Sequence, residues 1–262
     1  MERPTILAAS LLLLFLGAPS RSDAQDPITL NYSILWNTIS PTEPLVVDVE
    51  IVNHLSEDVL LNLGFLRQDG IRVKFTLPDG VVVIPGRPVS DRYQAKGGSA
   101  GPSPFLAIEG AGFAKARFIL DEWFKSQAVG TYSVQIELAD SRLRTQSGLI
   151  LTFGSRATLN YHVVSEDRLH SYRCSTLENL LRDPSTGTDA ALVLGAFSDP
   201  LVIPHLRRMA LINSSFAGSA VRGLRRVGTS EAIQVLVELS RAEEQEVSQA
   251  ASSALADFAG RR

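Results

Sequence analysis

The sequence predicts an α+β protein in two parts: an antiparallel β-sandwich over residues 25–165, then a short all-α helical repeat over 166–262. Three observations predict it. Apolar residues recur at every second position up to about residue 165 and at i, i+3 and i+4 beyond it. The helical part also repeats itself at intervals of about 30 residues.

Residues 1–24 are read as a cleavable secretory signal. Glu2 and Arg3 precede an apolar run from Ile6 to Leu16, which Gly17 and Pro19 end. Ser22-Asp23-Ala24 then places small residues at the −3 and −1 positions of a cleavage site. The run is about half of the roughly 20 residues that a bilayer span needs. The mature chain is expected to start near Gln25, after cleavage at Ala24, and to be periplasmic or secreted with no membrane span.

Composition sets bounds on the remainder. Hydrophobic residues make up 45% of the chain, as in a globular protein. A net charge of −3 gives no bulk attraction to nucleic acid, so that partner class is excluded. Cys174 is the single cysteine, so the chain cannot staple itself with a disulfide. It reads as a buried small apolar residue rather than as a nucleophile.

In the first part Ile28, Leu30, Tyr32, Ile34 and Trp36 alternate with polar neighbours. So do Leu45 to Ile51, Ile71 to Leu77, Tyr132 to Leu138 and Leu159 to Val163. Period two puts one face of each strand inward and the other in water. Pro78-Asp79-Gly80 reads as a hairpin turn, with glycine supplying a positive φ. About eight or nine short strands without a convincing helix favour a sandwich. Asp121–Ser126 is the one possible helical turn.

In the second part six segments carry a helical stripe: Tyr172–Leu181, Thr188–Phe197, Leu201–Ala210, Phe216–Val227, Glu231–Arg241 and Val247–Phe258. Ile203 and Leu206 recur as Ile233 and Leu236. Ala190, Leu194 and Phe197 recur as Ala220, Leu224 and Val227, then as Ala251, Leu255 and Phe258. The stretches Asp199–Leu206, Ala220–Leu224 and Gly228–Ile233 resemble HEAT-type repeats, over about residues 185–260. The resemblance implies a short α-solenoid with few units, which would lean on the sandwich for stability. The first part is similar to immunoglobulin-like domains of exported bacterial proteins, on Glu43-Pro44-Leu45-Val46-Val47 to Val52-Asn53 and on Gly130-Thr131-Tyr132. In such sandwiches a tyrosine at that corner bonds back to the backbone.

No constellation of catalytic residues stands out, and no metal or other cofactor is implied. Gly97-Gly98-Ser99-Ala100-Gly101 matches a hydrolase elbow, but Pro102 and Pro104 follow where a helix is needed. His54, His162, His170 and His205 lack partners at metal-ligand spacing. Asp48 and Glu50 share the water-facing side of a strand and read as ordinary surface.

Three features are candidates for recognition. The Pro85–Pro104 loop presents Arg92, Tyr93 and Lys96. The repeat region presents Arg207, Arg208, Arg222, Arg225 and Arg226 in one unit and Glu231, Glu238, Glu243, Glu244 and Glu246 in the next. These charges serve either a partner face or ion pairs between units. The sequons Asn31-Tyr32-Ser33 and Asn213-Ser214-Ser215 matter only in a eukaryotic secretory pathway. The functional expectation is an exported, non-catalytic protein–protein binding or scaffold protein, not an enzyme. One alternative is a carbohydrate- or envelope-polymer-binding sandwich using Trp36 or Trp123. The other is a hydrolase using Ser99.

Overall fold

The computed structural model describes residues 26–62, 71–86, 105–126, 128–138, 143–151, 156–165 and 169–259. Strands fill the first part and helices the second. The strands are β1 (Ile28–Ile34), β2 (Thr38–Ile39), β3 (Val46–Asn53), β4 (Val59–Asn62), β5 (Ile71–Thr76) and β6 (Val82–Val83). They continue with β7 (Phe105–Ile108), β8 (Phe113–Ile119), β9 (Gly130–Leu138), β10 (Leu143–Thr145) and β11 (Arg156–Val163). Eleven strands among the described residues exceed the eight or nine expected because β2 and β6 are only two residues long.

The strands form three sheets, ordered β1-β3-β8, β10-β4-β7 and β2-β11-β9-β5-β6. Alternate residues of all three meet in one apolar core, where Ile51, Leu61, Phe75, Ile136 and Tyr161 are sealed from water. Each such side chain contributes about 1.5–3 kcal/mol by leaving water. One pairing departs from the antiparallel expectation. β2 runs parallel to β11, with Thr38 opposite His162, because the chain passes from the first sheet to the third without reversing direction. The predicted hairpin joins β5 to β6, with Gly80 at φ 83° and the Asp79 carboxylate accepting from the Val81 N–H. The Tyr132 hydroxyl donates to the Ala128 carbonyl at 2.8 Å, so the tyrosine bonds back to the backbone at the corner as its sequence context suggested. A single short 3-10 turn, Leu120–Glu122, occupies the predicted helical stretch.

Six α-helices follow among the described residues: α1 (His170–Leu180), α2 (Gly187–Leu194), α3 (Ile203–Ile212), α4 (Ala217–Val227), α5 (Ser230–Leu239) and α6 (Gln245–Ala259). Each falls within a few residues of its predicted segment. They pack as three successive pairs, with α1, α3 and α5 side by side in one layer and α2, α4 and α6 in the other. Ala190, Ala220 and Ala251, which recur in sequence, are all buried in the helical core. Gly223 lets α4 come close to its neighbours. A Cβ there would sit 2.7 Å from Leu206 Cδ1 and 3.2 Å from the Gly195 Cα.

Candidate binding surfaces

The two halves meet through a buried polar seam. Val46 leaves the sheet core and joins the helical one, and Trp36 packs against both. The turn before β3 aims Glu43 into this seam. Glu43 N–H donates to the Ser40 carbonyl at 3.1 Å, and the Ser40 N–H donates back to Glu43 Oε2 at 2.8 Å. Arg173 of α1 donates to the same oxygen at 3.0 Å, and the Glu43 side chain is 0% exposed. The Arg173 guanidinium lies 4.8 Å over the Trp36 ring, whose edge meets Phe197. His170 Nδ1 is 3.6 Å from Glu43 Oε1, and its ring packs edge-on to Phe197.

The turn between α2 and α3 closes the seam. Ser198 N–H donates to the Thr42 carbonyl at 2.9 Å, and Thr42 Oγ1 donates to Asp199 at 3.2 Å. Lys125 reaches Ser198 Oγ at 2.7 Å. A carboxylate buried with a guanidinium and further hydrogen bonds couples the two halves, because removing either partner leaves a charge with no route to water. Sequence reasoning passed over Glu43 and Arg173. The available signal was an acid held between Pro41 and Pro44 at the entry to an apolar strand.

Of the arginines predicted to bind in the repeat region, Arg207, Arg208, Arg225 and Arg226 are each turned toward a neighbouring helix. Arg208 of α3 donates through Nε and Nη2 to Glu178 of α1 at 2.5 and 2.8 Å, and His205 meets the same carboxylate. This pairing holds the Glu178 carboxyl below its ordinary range, through the Arg208 hydrogen bond above all. Arg207 donates to Glu238 of α5 at 2.9 Å. Arg225 pairs with Asp257 of α6 at 3.1 Å, and Arg226 donates to the Gly195 carbonyl at 3.0 Å. Arg222 donates to Ser219. Thus α3 points its arginines along one layer and α4 points Arg225 and Arg226 along the other, and the five do not form one free basic face. Arg92, Tyr93, Lys96 and Ser99 lie outside the described residues, as does the Ala24 cleavage site.

Beside its exposed charged pairs, the helical layer of α1, α3 and α5 leaves several large apolar side chains in water. Leu169 and Tyr172 at the start of α1 are 53% and 70% exposed, and Leu201, in the 3-10 turn packed on α1, is 59% exposed. Leu180, Leu211 and Ile212 are exposed at the other ends of α1 and α3.

The remaining candidates are accounted for individually. Cys174 is fully buried, and burial pushes its thiol up to about 12. A thiol that is neither ionised nor reachable is a poor nucleophile. His54 and His162 share hydrogen bonds with Thr29 and Thr131. Trp36 and Trp123 are both half-buried and packed on the cores, so neither offers a free ring to a sugar. The Asn213 side chain accepts from the Ser215 N–H, capping an exposed turn, and Asn31 donates to Glu50. No group of three potential metal ligands occurs among the described residues.

One sheet face is polar and open. On β8, Ala114, Ala116 and Phe118 face the core, which leaves Phe113, Lys115 and Arg117 on the outside. Opposite them on β3 stand Val52, Glu50 and Asp48, and beyond those Asn31 and Ser33 on β1. Arg117 grips Asp48 with two bonds, 2.6 and 2.8 Å long, and Lys115 lies 3.5 Å from Glu50. Phe113 is 67% exposed. The parity of the 113–119 segment already places this ring among charged residues, and that was the missed signal.

No family model matches the chain. No curated protein matches it. Solved structures give faint likenesses. One is the CARDB domain of the PF1109 protein from Pyrococcus furiosus, in complex with di-metal ions, at 10% identity and a TM-score of 0.27, covering 53% of this chain and 94% of that one. Another is PapD-like domain 7 of human CEP192, at 12% identity and a TM-score of 0.31, covering 63% of this chain and 100% of that one. A cycloisomaltooligosaccharide glucanotransferase from Paenibacillus sp., complexed with cycloisomaltoheptaose, is similar at 11% identity and a TM-score of 0.29, covering 60% of this chain and 18% of that one. Likeness at this level assigns this chain neither a family nor a ligand.

Proposed function

We propose that the chain is an exported, non-catalytic scaffold protein. In this reading an immunoglobulin-like sandwich and a short HEAT-like solenoid act as one unit and hold another protein on the face made by α1 and α3. The observation that carries the reading is the set of exposed apolar side chains on that face, with Tyr172 as its largest member. Rigid aromatic and aliphatic anchors of this kind dominate the energetics of protein interfaces. The neighbouring arginines support it indirectly. Already committed to Glu178 and Glu238, they stiffen the layer instead of competing for a ligand.

The test is a pull-down from the source organism's envelope fraction with residues 25–262, alongside a Tyr172→Glu/Leu201→Glu variant checked for unchanged circular dichroism. A specific protein captured by the wild type and lost by the variant is the expected result. Equal capture by both moves the docking face elsewhere, and capture by neither overturns the scaffold. A second reading, carbohydrate binding by the sheet half, is favoured by the exposed Phe113 ring beside paired charges.

A further inference from the structure

The outer face of the β1-β3-β8 sheet is divided along its length. At one end Val46 is buried in the helical core, and its partner Ile119 is also out of water. In the middle Arg117 holds Asp48 and lies 4.0 Å from Asp189 of α2, so helix and sheet form a wall there. Beyond that wall the face opens into a shallow cleft of about 170 Å³, lined by Asn31, Tyr32, Ser33, Asp48, Glu50 and Lys115. The cleft is built by the three strands of this sheet alone.

The chemistry of the cleft narrows the ligand. Glu50 lies near the centre of its polar groups and takes both the Asn31 amide at 3.4 Å and the Lys115 ammonium at 3.5 Å. The Glu50 and Lys115 side chains are 35% and 61% exposed, so a ligand can reach both. Asp48 is likewise matched by Arg117. Each acid has its base, so an ionic ligand would have to break a pair, losing one interaction to gain another. A neutral ligand that donates and accepts at adjacent positions breaks none. It can donate to Glu50 while accepting from Asn31 or Lys115, with the side chains already oriented by one another.

Phe113 supplies what the polar groups lack. It lies two residues from Lys115 on the same face, about 7 Å along the strand. An exposed ring there is an apolar platform at the margin of a row of hydrogen-bonding groups. Adjacent hydroxyls on one edge and an apolar C–H face beside them are the features of a pyranose sugar.

We infer that this face binds a neutral oligosaccharide, with Asn31, Glu50 and Lys115 meeting vicinal hydroxyls and Phe113 stacking on a ring. The inference deepens the carbohydrate reading and is independent of protein docking on α1 and α3. It is tested by calorimetric titration of the protein with maltoheptaose, laminarihexaose, cellohexaose and chitohexaose, with polygalacturonate as a charged comparator. Saturable binding of at least one neutral glycan is expected, weakened about tenfold or more by Phe113→Ala and by Glu50→Ala, a loss of roughly 1.4 kcal/mol or more. Tyr172→Glu leaves that binding unchanged, which separates this site from the protein-docking face. Absence of binding to every neutral glycan overturns the inference. So does binding of polygalacturonate alone, or binding that survives both Phe113→Ala and Glu50→Ala.

Discussion

Arg173 and Arg208 each meet a glutamate, but in opposite surroundings. Arg208 and Glu178 sit on the helix surface, the arginine side chain 48% exposed, and water screens whatever they gain. Arg173 and Glu43 are enclosed between the two halves, with side chains 7% and 0% exposed. The first pair ties one helix to the next and can be lost with little harm. The second joins residues 130 positions apart and cannot be cut on one side without stranding a charge. Ion pairs of the same composition therefore have different work here, set by burial.

The largest effect expected is at the seam. Arg173→Met leaves Glu43 buried without its cation and should cost about 3–5 kcal/mol in urea unfolding. It should also split one transition into two as sheets and helices come apart. Adding Glu43→Gln should recover much of the loss, because a neutral pair no longer carries a desolvated charge. If Arg173→Met costs no more than Arg208→Ala, the contrast between the two pairs fails.

A smaller effect asks whether close packing or ion pairing sets the helical stack. Gly223→Ala drives a methyl into Leu206 and toward Gly195, and should destabilise by about 1–3 kcal/mol. The expected readout is a lower urea midpoint, larger than the shift from Arg208→Ala. The reverse order would make the surface pairs the main fastening.

Smallest is the pH response of the outer pair. The Glu178 carboxyl is held below its usual value of 4.5 by Arg208 and then by His205. A carboxyl with a lowered folded value contributes stability that is fully present above its unfolded value. That stability is lost as pH falls through the folded one. The wild type should thus be more stable than Arg208→Ala at neutral pH, with the gap in Tm closing as pH falls below about 4.5. A gap that stays constant from pH 7 to 3 would show that Arg208 acts through packing alone.

Much of this architecture was legible in residue order. Period two placed Ile71, Val73 and Phe75 inward, and the helical stripes placed Ala190, Ala220 and Ala251 in the core, because burial of those side chains is what forms the elements. The Tyr132 corner was readable from three residues. Partnership across long chain distances was not. Arg207, Arg208 and Arg225 form a basic cluster in sequence, but their partners stand roughly thirty residues away on adjacent helices, and only packing brings them together. Glu43 resembled any acid before a strand until Arg173 arrived from another part of the fold. The tryptophans, the only candidate sugar platforms but read more naturally as core, pack as core: Trp36 against both clusters and Trp123 against the sheet one. Phe113 could have been found by extending the alternation through 113–119.

The seam also bears on the order of events during synthesis. Glu43 leaves the ribosome 130 residues ahead of Arg173, an interval of roughly 6 to 26 s at ordinary elongation rates. Over that interval β1, β3 and β8 can pair, yet the Glu43 end stays wet, since the carboxylate has no cation to follow it out of water. β11, which brings Tyr161 into the core, precedes α1 by only a few residues, so sheet closure and the arrival of Arg173 nearly coincide, and the sheet half on its own would keep an open, hydrated mouth.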